Sequence, residues 1–175
     1  LIIEPNNKSI SDISYTIIPD RIEAGTFMIA ALITKGNIRL NNVIVRHLEN
    51  IIVKLKAAGA SIEIINNNTI NIKYNNKINP VNINTSEYPG YPTDLQAQWM
   101  ALMTLANGQS QIVENIYKDR FSHISELIRF GAEIRMDNNT AYIEGNKKLK
   151  SAPVMSTDIR ASASLILAAL SAKGE

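Results

Sequence analysis

Gly36 and Gly59 stand 23 residues apart, and Gly108 and Gly131 repeat that spacing. Each second glycine is followed by alanine (Ala60, Ala132), then by a strand-like run, asparagines, a threonine and another strand-like run. The residues leading in also match: Lys54-Leu55-Lys56-Ala57-Ala58-Gly59-Ala60 parallels Glu126-Leu127-Ile128-Arg129-Phe130-Gly131-Ala132. An offset pattern of this length, met twice, marks a duplicated supersecondary unit. Such units must bury their apolar faces against one another.

Local signals spell the unit. Tyr15-Thr16-Ile17-Ile18 reads as a short strand ended by Pro19. Asp20 caps a helix running to about Thr34, which Gly36 stops. Asn37-Ile38-Arg39-Leu40 alternates polar and apolar residues, a strand signal. A helix from about His47 to Ala58 gathers Leu48, Ile51, Ile52, Leu55 and Ala58 on one face. Ser61–Ile65 and Thr69–Lys73 form a hairpin around Asn66-Asn67-Asn68, where asparagines tolerate positive φ. The order is βαβαββ over residues 15–73, and it recurs over 81–144.

A third copy spans 150–175. Ala152–Met155 is strand-like, Thr157 and Asp158 offer a cap, and Ile159–Ala172 is an alanine- and leucine-rich helix. Gly174 follows Asp158 by 16 residues, as Gly36 follows Asp20. At the other end Leu1-Ile2-Ile3-Glu4 resembles Ala141-Tyr142-Ile143-Glu144, so residues 1–4 read as the tail of a preceding unit. The expected fold class is α/β, with repeated βαβαββ units around a pseudo-threefold axis. Residues 1–175 would be one partial domain, truncated at both ends.

One stretch of the second unit organises the rest: Tyr88-Pro89-Gly90-Tyr91-Pro92-Thr93-Asp94-Leu95-Gln96-Ala97-Gln98-Trp99. Its prolines and glycine keep the backbone extended and turning. Thr93 then offers an N-cap hydroxyl and Asp94 a first-turn carboxylate, before apolar residues resume at helical spacing. Trp99, Met100, Leu102 and Met103 read as core. From spacing alone Asp94 reads first as a helix-start carboxylate. As a site residue it would sit at a helix mouth, with outward N–H groups beside it.

Other charged groups stand at comparable places: Asp20, Arg21 and Glu23 in the first unit, Asp158 and Arg160 in the third. Arg120 lies in Tyr117-Lys118-Asp119-Arg120-Phe121-Ser122-His123, just ahead of the second helix of unit two. Packed around one axis, these helix mouths meet at a single pole receptive to phosphate and carboxylate. The plainer alternative is that Arg21, Arg120 and Arg160 pair with neighbouring carboxylates at a solvated rim.

Composition narrows the chemistry. The net charge is +2 and no polybasic run occurs, so no nucleic-acid partner is expected. No cysteine is present, which excludes disulfides and thiolate metal sites. His47 and His123 lack metal-ligand spacing, and no glycine-rich phosphate loop occurs, so neither metal nor cofactor is expected. The apolar start, soon broken by Pro5, is too short for a signal peptide or membrane anchor.

Four stretches together resemble the bacterial UDP-N-acetylglucosamine enolpyruvyl transferase family. They are Pro19-Asp20-Arg21-Ile22-Glu23-Ala24-Gly25-Thr26-Phe27, Pro92-Thr93-Asp94-Leu95-Gln96-Ala97-Gln98, Asp119-Arg120-Phe121-Ser122-His123, and Val154-Met155-Ser156-Thr157-Asp158-Ile159-Arg160-Ala161-Ser162. They occur in the family's order across nearly the whole chain. The resemblance implies two lobes, each of three βαβαββ units in an inside-out α/β barrel, with substrates between them. It also implies a cytoplasmic enzyme of the first committed step of peptidoglycan precursor synthesis. That enzyme moves the enolpyruvyl group of phosphoenolpyruvate to the 3-hydroxyl of UDP-N-acetylglucosamine by addition and elimination of phosphate. By the same resemblance Asp94 is the carboxylate at that hydroxyl, and the Ile116 backbone contacts the nucleotide sugar. Arg120 and Arg160 compensate charge near the cleft, with Asp158 a substrate-binding carboxylate nearby. Asp20, Arg21 and Glu23 match as structural or rim residues.

The chain departs from the family pattern at Lys118-Asp119, where glutamate and asparagine are expected, and at Ser122, where methionine is. The family's catalytic cysteine, and the lysine and arginines that hold phosphoenolpyruvate, belong to the other lobe. The chain alone is therefore expected to be inactive. Two readings stay open: part of an active transferase whose second lobe lies elsewhere, or a degenerate remnant that at most binds nucleotide sugar. An RNA-end cyclase sharing the repeated unit fits less well, since it asks for basic residues and a catalytic histidine.

Overall fold

The computed structural model describes residues 12–146, 148–156 and 158–174. The expected strand Leu1–Glu4 and the cap residue Thr157 lie outside them. Asp20 starts the first helix, α1 (Arg21–Ile33), by accepting the Ile22 N–H at 2.7 Å. Lys35 takes the left-handed conformation (φ 55°) between this helix and the first strand. Strand β1 (Asn37–Asn41) leads through a 3₁₀ turn, Val45–His47, into α2 (Glu49–Ala57). The helix predicted from His47 thus begins at Glu49. Its apolar face is buried as the spacing requires, at Leu48, Ile51, Ile52, Leu55 and Ala58. Gly59 ends it at φ 103°, with Lys77 O only 3.0 Å from where a Cβ would lie.

Strands β2 (Ser61–Asn66) and β3 (Thr69–Lys73) then pair antiparallel, and β1 joins the far side of β3, giving the order β1-β3-β2. Only β3 is deeply covered, with Ile70 and Ile72 fully buried. In the turn, Asn66 Oδ1 accepts the Asn68 N–H at 3.0 Å, and the register shifts by a bulge between Ile64 and Asn66. That bulge takes up the turn, and no asparagine of 66–68 adopts positive φ. In the second hairpin Asn138 does, at 52°.

The second half repeats the three-strand arrangement and adds a strand. Strand β4 (Ile83–Asn84) runs parallel to β5 (Ser110–Val113); β7 (Thr140–Glu144) lies between β5 and β6 (Glu133–Asp137). Helix α3 (Gln96–Met103) links β4 to β5, α4 (His123–Arg129) precedes β6, and α5 (Ile159–Ser171) closes the described chain.

Helices α1, α3 and α5 pack against one another in the interior. Every residue of α3 is buried, including Gln96 and Gln98. An octapeptide apolar on nearly all sides fits only the centre of a structure. Trp99 is fully buried, its ring edge-on to Tyr91 at 5.5 Å and its indole N–H donating to Val81 O at 3.2 Å.

Two expected strands do not form. Tyr15–Ile18 is irregular and exposed, and Ala152–Met155 is irregular too. Neither finds a partner strand among the described residues, and an extended segment without one cannot satisfy a ladder.

Candidate functional site

The approach to α3 is fixed by close contacts. A Cβ at Gly90 would strike Ser86 Oγ and come within 2.8 Å of Glu87 O, so this turn requires glycine. Pro92 ends the extended run, and Thr93–Leu95 forms a 3₁₀ turn closed by Leu95 N–H to Pro92 O at 3.0 Å. Thr93 does not cap the helix as its position suggested. Its hydroxyl donates instead to Glu114 Oε2 at 2.8 Å, because a buried carboxylate is the stronger acceptor.

Asp94 projects from this turn toward two guanidinium groups. Arg120 Nη1 reaches its Oδ1 at 3.0 Å and Arg160 Nε reaches the same oxygen at 2.5 Å. Arg120 is the more buried of the two, its side chain 16% exposed against 38% for Arg160. Arg120 also lies over the Tyr117 ring at 4.1 Å. Oδ2 of Asp94 carries no bond from the described residues. Residues distant in sequence, from three helix starts or approaches, therefore meet at one carboxylate.

A groove of about 340 Å³ opens beside it, between the first turns of α1, α3 and α5. Asp20, Glu23, Phe27, Asp94, Gln98 and Arg160 are on its walls. The lining is mixed in charge, with three carboxylates and one guanidinium. Gln98 donates to Asp94 O at 3.0 Å and Thr26 Oγ1 at 3.3 Å, while its buried Oε1 has no partner. Arg21 takes no part, its guanidinium lying over the Tyr88 ring at 5.0 Å.

Asp158 sits at the start of α5, where its carboxylate accepts the N–H groups of Arg160 at 2.8 Å and Ala161 at 3.1 Å. Partial burial alone would raise its pKa. The two backbone donors, the Arg160 charge and nearby His123 outweigh that and hold it below the usual aspartate value. Asp158 thus orients the turn that carries Arg160. Ile116 is surface-exposed, and its N–H donates to Glu114 Oε1 at 2.9 Å. His123 is buried at the start of α4, and burial lowers its pKa from 6.5 to about 4, against a smaller upward pull from Asp158. Among the described residues no three His, Asp or Glu side chains gather as metal ligands, and no helix is long and apolar enough to cross a membrane.

Sequence reasoning named Asp94, Arg120, Arg160, Asp158 and Ile116 but missed Glu114, which bonds Thr93 and the Ile116 backbone. A signal was available. Glu114 lies six residues after Gly108, where the first repeat carries Asn42 six after Gly36. A carboxylate at a strand end in one copy alone marks a place where the copies differ in task.

The chain also has close relatives among known proteins. Over 167 residues it is 53% identical to the UDP-N-acetylglucosamine 1-carboxyvinyltransferase of Orientia tsutsugamushi (strain Ikeda), covering 95% of this chain and 40% of that protein. The protein of that name from Geotalea uraniireducens (strain Rf4) is 55% identical over 166 residues, covering 94% of this chain and 39% of its own length. The chain therefore spans about two fifths of these relatives. In fold it matches the enolpyruvyl transferase NikO from Streptomyces tendae with a TM-score of 0.80 at 23% identity, over 90% of this chain and 38% of that one. An EPSP synthase from Acinetobacter baumannii matches at 0.66 and 16% identity, over 91% of this chain and 38% of that one. The family model described as EPSP synthase (3-phosphoshikimate 1-carboxyvinyltransferase) matches residues 1–175, and with the helix-lined α/β architecture this makes the chain a member of that enolpyruvyl transferase family.

Proposed function

We propose that this chain is the acceptor-side part of an enzyme that transfers enolpyruvyl from phosphoenolpyruvate to the 3-hydroxyl of UDP-N-acetylglucosamine. The observation that carries this reading is the meeting of Arg120 and Arg160 on Asp94 Oδ1 beside an open groove. With both guanidinium groups on one oxygen, Oδ2 faces an incoming hydroxyl as acceptor. It would take the hydroxyl proton as that oxygen bonds to C2 of the enolpyruvyl group. Addition also places a proton on C3 of that group, and elimination removes a proton from C3 again as the bond from C2 to phosphate breaks. The family resemblance gives that work to groups of the other lobe. Here the arginines fix the carboxylate and offset charge that builds up during transfer. The groove's three carboxylates suit the hydroxyls of a sugar, which donate hydrogen bonds. This reading brings the peptidoglycan pathway and a cytoplasmic setting with it.

The test is a chimera in which these residues replace the matching segment of the Orientia relative. Phosphate release from phosphoenolpyruvate is expected only with UDP-N-acetylglucosamine present, and none from the 175-residue chain alone. The departures from the family pattern at Lys118, Asp119 and Ser122 leave room for a second reading, a remnant that binds nucleotide sugar without turnover. A folded chimera that binds UDP-N-acetylglucosamine yet releases no phosphate would establish the remnant and overturn the enzyme.

A further inference from the structure

We propose that Glu114 is a positioning residue that sets the direction of the hydrogen bonds holding Arg120 against Asp94 and that pins the Ile116–Tyr117 backbone. The role it serves rests on the transferase reading above, but the hydrogen-bond arrangement does not. Glu114 is completely buried, immediately beyond the end of β5. Its carboxylate faces four donors. Oε1 accepts from Thr85 Oγ1 at 2.7 Å, Ile116 N at 2.9 Å and Tyr117 N at 3.1 Å, and Oε2 accepts from Thr93 Oγ1 at 2.8 Å. Its own backbone is clamped, since its N–H donates to Asn139 O at 2.9 Å and its carbonyl accepts from Asn139 Nδ2 at 3.0 Å.

A carboxylate can only accept, and a threonine hydroxyl has one proton. Thr93 therefore spends its proton on Glu114 and turns its lone pairs outward. Those lone pairs accept Arg120 Nη1 at 2.9 Å, the same nitrogen that reaches Asp94 Oδ1. Thr85 is polarised the same way, giving its proton to Glu114 and accepting the Asn115 N–H at 2.8 Å. One buried charge thus dictates donor and acceptor sense along a chain ending at Arg120. It also pins the loop that carries Ile116.

Glu114→Gln is nearly isosteric and separates this role from mere packing. Its carbonyl oxygen can keep Thr85, Ile116 and Tyr117, while its amide N–H₂ must face Thr93. Thr93 would then accept from position 114 and lose the acceptor that fixes its proton, so its hydroxyl is free to turn and its lone pair is no longer held toward Arg120 Nη1. The measurement is made by NMR on the 175-residue chain. In Glu114→Gln the Arg120 guanidinium resonances are expected to broaden or average through faster rotation. The Ile116 and Tyr117 amides are expected to keep their exchange protection to within about threefold. Thr93→Val, which removes the hydroxyl and keeps the shape, is expected to free Arg120 alike, and the double variant to add nothing. Should Glu114→Gln fail to fold, Thr93→Val carries the comparison alone.

In the chimera, Glu114→Gln is expected to lower kcat about 10- to 100-fold, as misplacing a site group by an ångström does, with KM for the sugar nucleotide within about threefold. In an Arg120→Ala background it is expected to lower kcat no further. Unchanged Arg120 resonances in both single variants, or additive losses with Arg120→Ala, would overturn the proposal. An inactive parent chimera would remove the transferase reading and leave the NMR result to decide the hydrogen-bond arrangement.

Discussion

Asp94 holds two arginines with one oxygen, an arrangement that costs less than it first suggests. The Asp94 side chain is 40% exposed, and ion pairs with that much water around them contribute only about 0–1 kcal/mol each. Asp94→Ala in the chimera is therefore expected to abolish turnover while thermal unfolding stays cooperative and its midpoint moves by a few degrees at most. Near-normal kcat in that variant would dismiss Asp94 as the base. Arg160→Ala is expected to slow turnover without unfolding the chain, and unchanged kinetics would return Arg160 to a purely structural role. At this scale the sequence was informative where charge coincided with a helix start, which is how Asp94, Asp158 and Arg160 stood out. It was silent on direction. Nothing in Pro92-Thr93-Asp94 says that the threonine hydroxyl turns away from the helix to a carboxylate 21 residues downstream, nor that Arg21 lies on Tyr88 while Arg120 lies on Asp94.

At the scale of elements, the site depends on how closely α1 approaches the start of α3. Gly25, in the middle of α1, faces Leu95, the residue after Asp94. A Cβ at Gly25 would come to 2.5 Å from Leu95 Cδ1 and 3.2 Å from Ile51 Cδ1, and Leu95 is fully buried. Gly25→Ala gains helix propensity but overfills this crossing. The net expectation is a loss of about 1–3 kcal/mol in urea unfolding, with Asp94 displaced along with its neighbour. An unchanged or raised midpoint would mean that the crossing relaxes freely. The helices and hairpins were readable because each carries its own apolar period, with capping aspartates at α1 and α5 and glycines or asparagines at the turns. The strands expected at Tyr15–Ile18 and Ala152–Met155 were not decidable from local pattern, because a strand exists only with a partner. β4 shows the same limit from the other side: only Ile83 and Asn84 join a ladder, through parallel pairing with Ile112 and Val113.

For the molecule as a whole, α3 lies in the interior with α1 and α5 packed on it, and α4 packs between α5 and β6. His123 begins α4 and is buried with its Nε2 unpartnered, packed beside Phe121 and within electrostatic reach of Asp158. Its folded-state pKa, about 4, lies below the unfolded value of 6.5, so between those limits the unfolded chain binds the extra proton. Stability from this group is full above pH 6.5, declines as pH falls through that window, and is wholly lost below about 4. A shift of this size corresponds to roughly 3 kcal/mol. Asp158, also depressed, adds its own loss at lower pH as its carboxylate is protonated. Replacing the imidazole isolates the first effect. Urea unfolding of the wild type is expected to lose stability more steeply between pH 6.5 and 4 than that of His123→Leu, and the two curves are expected to run parallel above pH 7. Parallel curves through the acid window would show that His123 takes up its proton in the folded state as readily as in the unfolded one, and that α4 does not shield it.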